Sequence, residues 1–191
     1  MQKTAGSERP MLRCAPASSA GPPGTVATGE RRHSDILLRE AAKELTQRQI
    51  ALVQPRITYI GGSLPIQHMA ELFQLSDAYL TPYSAEAFNL PALEAVACGL
   101  PVICTAGGPT DEFVPNACAL RVAAKLVQSL GDGGDALVPD AESLIARMWQ
   151  VRSDEMFRLA AKQAGPGHAQ SHFTWKLTVD KLIREMKPHQ V

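Results

Sequence analysis

The sequence carries no excess charge of either sign: 19 Lys and Arg are balanced by 19 Asp and Glu in a chain of 191 residues. Attraction to nucleic acid or to an anionic membrane needs a field of one sign, so bulk electrostatics brings neither to this protein. No apolar run approaches the roughly 18 residues of a membrane span, and a soluble chain without a transmembrane segment is expected. The four cysteines, Cys14, Cys98, Cys104 and Cys118, show no C-x2-C spacing. Three of them stand among apolar residues, where a free cysteine behaves as a small buried hydrophobe. A reducing, cytoplasmic setting follows as the expectation. There is no Ser-His-Asp, Cys-His or G-x-x-x-x-G-K-[ST] arrangement, so nucleophilic hydrolysis and P-loop phosphate binding have no support. His168 and His172 lie four apart without a third histidine or a carboxylate nearby, and neither a metal nor another cofactor is expected. What remains is 45% hydrophobic and 20% charged, the balance of a folded domain with a real core.

Residues 1 to 33 are dominated by Ser, Ala, Gly, Pro and Thr without periodicity, and read as a disordered tail. A folded domain is expected over residues 34 to 191. Ser34 caps one helix reaching Val53, with Ile36, Leu37, Ala41, Leu45 and Ile50 on one face, and Pro55 stops it. Ile57 to Ile60 reads as a strand. Gly61-Gly62 after it is either a strand-to-helix turn or a loop touching a ligand. Pro65 to Leu75 reads as a helix turning Ile66, Met69, Leu72, Phe73 and Leu75 to the core, with His68 at its surface.

The densest part of the chain runs from Ser76 to Val114. Ala78 to Thr81 is a short β-prone run ended by Pro82-Tyr83-Ser84. Asn89 is placed to cap a helix whose first turn holds Pro91, where a missing N–H costs nothing. Gly99 is placed to end it as a left-handed residue, with Pro101 beyond. Val102 to Cys104 then reads as a fully buried strand, closed by Gly107-Gly108-Pro109. This β-loop-α-β unit suits an open parallel sheet, in which ligands bind beyond the C-terminal ends of the strands. Glu86 stands before the helix and Glu94 about one turn inside it. The free N–H groups of the helix end favour an anion, and carboxylates accept hydrogen bonds from sugar hydroxyls. On spacing alone the two carboxylates read as a chance pair among nineteen acidic residues, one capping the helix and one solvated.

Downstream, Thr110 is placed to cap a short helix with Asp111 and Glu112 in its first turn. Cys118 to Val122 reads as a strand, the stretch from Ala123 to Asp135 as a polar, glycine-rich excursion, and Leu137 to Pro139 as an edge segment. Asp140 caps a helix with Leu144, Ile145, Met148 and Trp149 on one face. A second helix is expected to break at Gly165-Pro166-Gly167, and a third carries an apolar stripe of Phe173, Leu177, Leu182, Ile183 and Met186.

The string from Ala85 to Gly108, AEAFNLPALEAVACGLPVICTAGG, resembles the donor-binding signature of retaining glycosyltransferases of the family-4 (group 1) type. Those enzymes pair two Rossmann-like domains in the GT-B architecture. Their E-x7-E pattern is matched by Glu86 and Glu94, and ACGLPVI repeats the family string almost letter for letter. The similarity extends over about residues 55 to 187. It implies a Rossmann-like open parallel sheet flanked by helices, one half of a GT-B fold, with a nucleotide sugar as substrate. It also implies that Glu86 acts catalytically near the donor sugar and that Glu94 holds the ribose. Phe88, Asn89 and Leu90 would then bring backbone amides to sugar and phosphate. Ala87 and Asn89 stand where the family commonly has glycine, and Ala87 without glycine's freedom would tighten or misplace the loop.

The resemblance also implies a first strand carrying a G-R…K pair for the donor pyrophosphate, which this sequence does not show before Ile57, and neither Arg121 nor Lys125 can be assigned that role. The expectation is a donor-binding domain lacking its first strand unit, with an acceptor-binding domain supplied by another chain or a longer product. The alternative is a nucleotide-sugar-binding or regulatory module without turnover. A carboxylate-pair glycosidase, needing two carboxyls about 5 to 9 Å apart across a sugar, fits poorly with Glu94 on an apolar helix.

Overall fold

The computed structural model describes Ile36, residues 39–58, Ile60, residues 64–128 and residues 135–186. The expected tail, the Ser34 cap, Tyr59 and the Gly61-Gly62 turn lie outside the described residues. The chain forms two compact units, one ending at Leu72 and one beginning at Phe73.

In the first unit the single helix expected from Ser34 to Val53 is interrupted. Residues 39–43 are helical, Glu44 and Leu45 turn, and a separate helix α1 spans Gln47–Val53. The cause is Thr46. Its hydroxyl accepts from the Gln49 N–H while the Gln49 side chain accepts from the Thr46 N–H at 2.9 Å, a reciprocal cap that starts a new helix. Pro55 falls in the 3-10 turn Gln54–Arg56 that follows. Ile57, Thr58 and Ile60 are not in a strand. Their β-branched pattern finds no partner among the described residues, and a strand exists only where a neighbour completes its ladder. Helix α2, Ile66–Leu75, matches its expected span. Only Phe73 on it is buried; Ile66 and Leu75 are exposed rather than turned to a core.

The second unit is built on a parallel sheet in the order β1 (Tyr79–Thr81), β2 (Val102–Thr105), β3 (Ala119–Val122). Tyr79 lies opposite Val102 and Ile103 opposite Leu120. Every residue of the central strand β2 is buried, as its unbroken apolar run requires of a strand covered on both faces. On one face Ile103, Leu120 and Val122 meet Leu144, Met148 and Val151 of helix α5, which follows later in the chain at Ala141–Ser153. The alternation of strand side chains turns Val102 and Cys104 to the other face. The fold is therefore α/β, a Rossmann-like parallel sheet flanked by helices.

Helix α3, Leu90–Ala97, connects β1 to β2. Ala92, Ala95 and Val96 are its buried face, whereas Leu90 is exposed, so small side chains rather than the leucines make the contact. Gly99 ends it at φ 80°, with its N–H on the Val96 carbonyl and the Leu100 N–H on Ala95, each at 2.9 Å. This is the left-handed closure expected at that position.

Helix α4, Thr110–Phe113, has Asp111 and Glu112 in its first turn as expected. Its cap position is Pro109, not Thr110, because the Thr110 hydroxyl is held 2.6 Å from the Tyr83 hydroxyl. The expected polar excursion is a hairpin: β4 (Ala124–Gln128) pairs antiparallel with β5 (Asp135–Pro139). Asp140 caps α5 through the Ser143 N–H at 2.7 Å, but Ile145 and Trp149 of its expected apolar face are exposed.

Helix α6, Glu155–His172, runs unbroken through Gly165-Pro166-Gly167, against the expected break. Packing explains this. A Cβ on Gly165 would stand 2.3 Å from the Val96 carbonyl oxygen, and one on Gly99 would stand 3.1 Å from the Lys162 carbonyl oxygen. Pro166 provides no N–H for Lys162, whose carbonyl lies against Gly99 instead. The close seat of α6 on α3 outweighs the ~3 kcal/mol that an internal proline costs. Helix α7, Trp175–Met186, carries the expected stripe but buries none of it. No described helix is long and apolar enough to cross a membrane.

Candidate functional site

The loop from β1 to α3 is fixed first at Tyr83. Its N–H donates to the Thr105 hydroxyl at 2.9 Å, and that hydroxyl donates to the Tyr83 carbonyl at 2.8 Å. The Tyr83 ring fills the space over Gly108, where any Cβ would meet its hydroxyl at 2.5 Å. One residue on, the Ser84 carbonyl accepts from the Leu137 N–H of β5 at 2.7 Å. The start of the loop is thus tied to the end of β2, to the glycine turn and to the hairpin.

Beyond Ser84 the loop is open. Glu86 is exposed, and its carboxylate accepts from the Ala87 N–H at 2.9 Å. Phe88 stacks on Phe113 with ring centroids 4.6 Å apart, leaving its other side to solvent. Asn89 takes the left-handed conformation, φ 65° and ψ 62°, and caps α3 by accepting from the Ala92 N–H at 3.2 Å. Asparagine tolerates this region, so it replaces the family's glycine without distorting the turn. Among described residues Asn89 alone of the non-glycines has positive φ. Ala87 therefore needs none of glycine's freedom, and the tightening expected of it does not arise. Leu90 opens the helix, exposed, and Glu94 sits half-buried one turn in.

Tyr79 brings the two carboxylates into one field. Burial raises its phenol above the ordinary value of 10.0, the Thr81 hydroxyl works against this, and Glu86 and Glu94 both add to the rise. The Asn89 Nδ2 donates to the Thr81 Oγ1 at 2.8 Å. Tyr79, Thr81 and Asn89 thus form a linked polar group at the C-terminal end of β1 and the start of α3. Tyr79 and Thr81 were not singled out in the sequence. Their signal was the alternation Tyr79-Leu80-Thr81, which sets two polar side chains on one face at the end of a parallel strand.

Other polar groups are engaged elsewhere. Asp111 accepts from the Gly107 N–H at 2.8 Å and from Arg121 Nε at 2.6 Å, and Arg121 also donates to the Val114 carbonyl at 3.1 Å. His168 Nε2 donates to the Phe113 carbonyl at 2.9 Å. A shallow cleft of about 210 Å³ beside α4 is lined by these same groups and includes neither Glu86 nor Glu94. Asp111, Arg121 and His168 in it are already hydrogen-bonded to protein groups. Among the described residues no group of three His, Cys, Asp or Glu is gathered as a metal would require.

Fold and site together define an α/β unit in which one carboxylate, Glu86, stands before the helix that follows β1 and another, Glu94, stands within it. The profile of the glycosyl transferases group 1 family matches residues 26–154, and the chain belongs to that family. It is 27% identical over 150 residues to a D-inositol 3-phosphate glycosyltransferase of Corynebacterium urealyticum, covering 76% of this chain and 30% of that protein. A D-inositol 3-phosphate glycosyltransferase of Rhodococcus opacus is 30% identical over 138 residues, 71% of this chain and 27% of that one. The O-antigen chain mannosyltransferase B of Escherichia coli is 27% identical over 132 residues, with 69% and 30% covered. Among solved structures, sucrose-phosphate synthase from Thermosynechococcus elongatus superposes with a TM-score of 0.55 at 26% identity, covering 73% of this chain and 33% of that one. The fold is accordingly the Rossmann-like fold of GT-B glycosyltransferases. The chain spans about 30% of the length of these curated relatives.

Proposed function

We propose that residues 34–191 act as the donor-binding domain of a glycosyltransferase, taking a sugar from a nucleotide sugar, with the acceptor held by a domain outside these residues. The observation that carries this reading is the placement of Glu86 before, and Glu94 within, the helix that Asn89 caps at the C-terminal end of β1. Glu94 accepts hydrogen bonds from the ribose hydroxyls, and Glu86 stands by the donor sugar as the group that acts on it. The loop amides at Phe88, Asn89 and Leu90, the last of which opens α3, face the sugar and diphosphate, because a helix start offers unpaired donors and a partial positive charge. No metal has a part in this reading, and the nucleotide sugar is substrate rather than cofactor.

Calorimetry with a panel of uridine and guanosine diphosphate sugars tests it. Charge-assisted hydrogen bonds contribute ~1.5–3 kcal/mol, so Glu94→Gln is expected to weaken binding roughly ten- to a hundredfold. Equal affinity in a Glu94→Gln chain that melts normally would overturn the assignment.

A further inference from the structure

We propose that the Asn89 side chain is the positioning residue of this site: by tying the start of α3 to the end of β1 it fixes where the loop amides point. The inference rests on the donor-site reading above. From Ser84 to Pro91 every residue is exposed except Asn89, whose exposure is 6%. An exposed loop with one buried side chain takes its order from that side chain. Both ends of the carboxamide are in use. Oδ1 accepts from the Ala92 N–H inside α3, and Nδ2 donates to Thr81 Oγ1 on β1. Thr81 is itself held in register with Cys104 of the buried central strand, so the loop is referenced to the most rigid part of the sheet. The stack of Phe88 on Phe113 is a second tether, made at a half-open surface.

The consequence lies in the amides. Helix geometry leaves the first-turn N–H groups without partners inside the helix. Pro91 has none, and Ala92 gives its own to Asn89. The N–H groups of Asn89 and Leu90 are left for a ligand, and their direction follows from the left-handed turn at Asn89. Glycine would adopt this turn but would equally adopt others. Asparagine holds it by two hydrogen bonds. The side chain works through neighbouring backbone groups and touches no substrate itself.

Asn89→Gly separates the two properties, since glycine accepts positive φ and loses only the bonds. Glycine at an N-cap is nearly as stabilising as asparagine, so melting should barely move. In the ligand-free variant, amide hydrogen exchange over residues 86–92 should quicken about tenfold and nucleotide-sugar affinity should fall by about the same factor. Thr81→Val, which removes the acceptor at nearly constant shape, should reproduce part of both effects. It also carries the test if Asn89→Gly does not fold. The double variant should lose less than the two single losses combined, as expected of two groups in one bond.

Unchanged exchange over residues 86–92 in the variants would overturn the inference whatever binds. So would a loosened loop with undiminished affinity. If the unsubstituted chain binds none of the nucleotide sugars, the donor-site reading fails and the inference falls with it. That case is distinguished from the others by the unsubstituted protein alone.

Discussion

Cys118 isolates what burial does to one titrating group. Its side chain is fully buried, and its Sγ reaches only the Ala161 carbonyl, at 3.7 Å. No cation stands by to hold a thiolate, so burial alone pushes its pKa from 9.0 to about 11. The unfolded chain then releases this proton near pH 9 while the folded chain keeps it to about pH 11. Between those values the unfolded state binds fewer protons, and stability falls as pH rises. The contribution is intact below pH 9, and its loss reaches at most roughly 2–3 kcal/mol once pH passes the folded value. Denaturant titrations from pH 8 to 11 should show this loss in the unsubstituted chain and a shallower slope in Cys118→Ala, whatever their levels at pH 8. Parallel slopes would mean the thiol is reached by water. At this scale the sequence was legible where a residue acts on near neighbours. Asn89 could be read as a cap because its target is three residues away. The Thr110 hydroxyl could not be placed, because its partner Tyr83 is 27 residues distant and is brought close only by the β1–β2 pairing. The same holds for Tyr79 and Thr81, whose face matters only once α3 lies over it.

The seat of α3 on α6 shows how elements override local propensity. Alanine is normally favoured over glycine inside a helix by about 1 kcal/mol. At Gly165 the sign should reverse, because the added Cβ would stand 2.3 Å from a backbone oxygen of Val96, and neither helix can yield without opening the contact. Overpacking of this kind costs typically ~1–3 kcal/mol. Gly165→Ala should therefore lower the melting temperature, while Gly167→Ala, whose Cβ would meet nothing within 4 Å, should raise it or leave it unchanged. A Gly165→Ala chain as stable as its parent would show that the helices stand further apart. This contact explains why the expected break at Pro166 was wrong: a proline signals a break only when nothing else holds the helix. The converse error came at Thr46, where a good apolar period hid a reciprocal cap. The hairpin β4–β5 was half legible, since Leu137 to Pro139 suggested a strand but the residues pairing with it looked polar. Against these, β2, the Asn89 cap, the Gly99 closure and the span of α2 were all readable. Each is set by residues in contact along the chain, or by a run that can only be buried.

For the molecule as a whole, the question is whether these residues can carry a complete reaction. Sugar transfer requires donor and acceptor held in near-contact geometry, which can lower the barrier by ~7–11 kcal/mol. On the reading proposed above, Glu86, Glu94 and the start of α3 contact the donor alone. Release of a nucleotide diphosphate also gains from fixed cations on the leaving group. Arg121 lies in the same unit, but its guanidinium is taken by Asp111 and the Val114 carbonyl. The chain spans about 30% of the length of the curated relatives. We expect the purified 191-residue chain to bind a nucleotide sugar weakly and to release nucleotide at no more than the uncatalysed rate when acceptors are added. Incubation with nucleotide sugars and mixed sugar, inositol phosphate and lipid acceptors, with nucleotide release followed over time, measures this. Adding a separate acceptor domain from a relative should then restore turnover, and Glu86→Ala should abolish it again. Multiple turnovers by the chain alone, lost in Glu86→Ala, would overturn the expectation and place the acceptor site within self-associated copies. Turnover that survives Glu86→Ala in the restored system would instead remove Glu86 from the reaction while leaving donor binding through Glu94 intact.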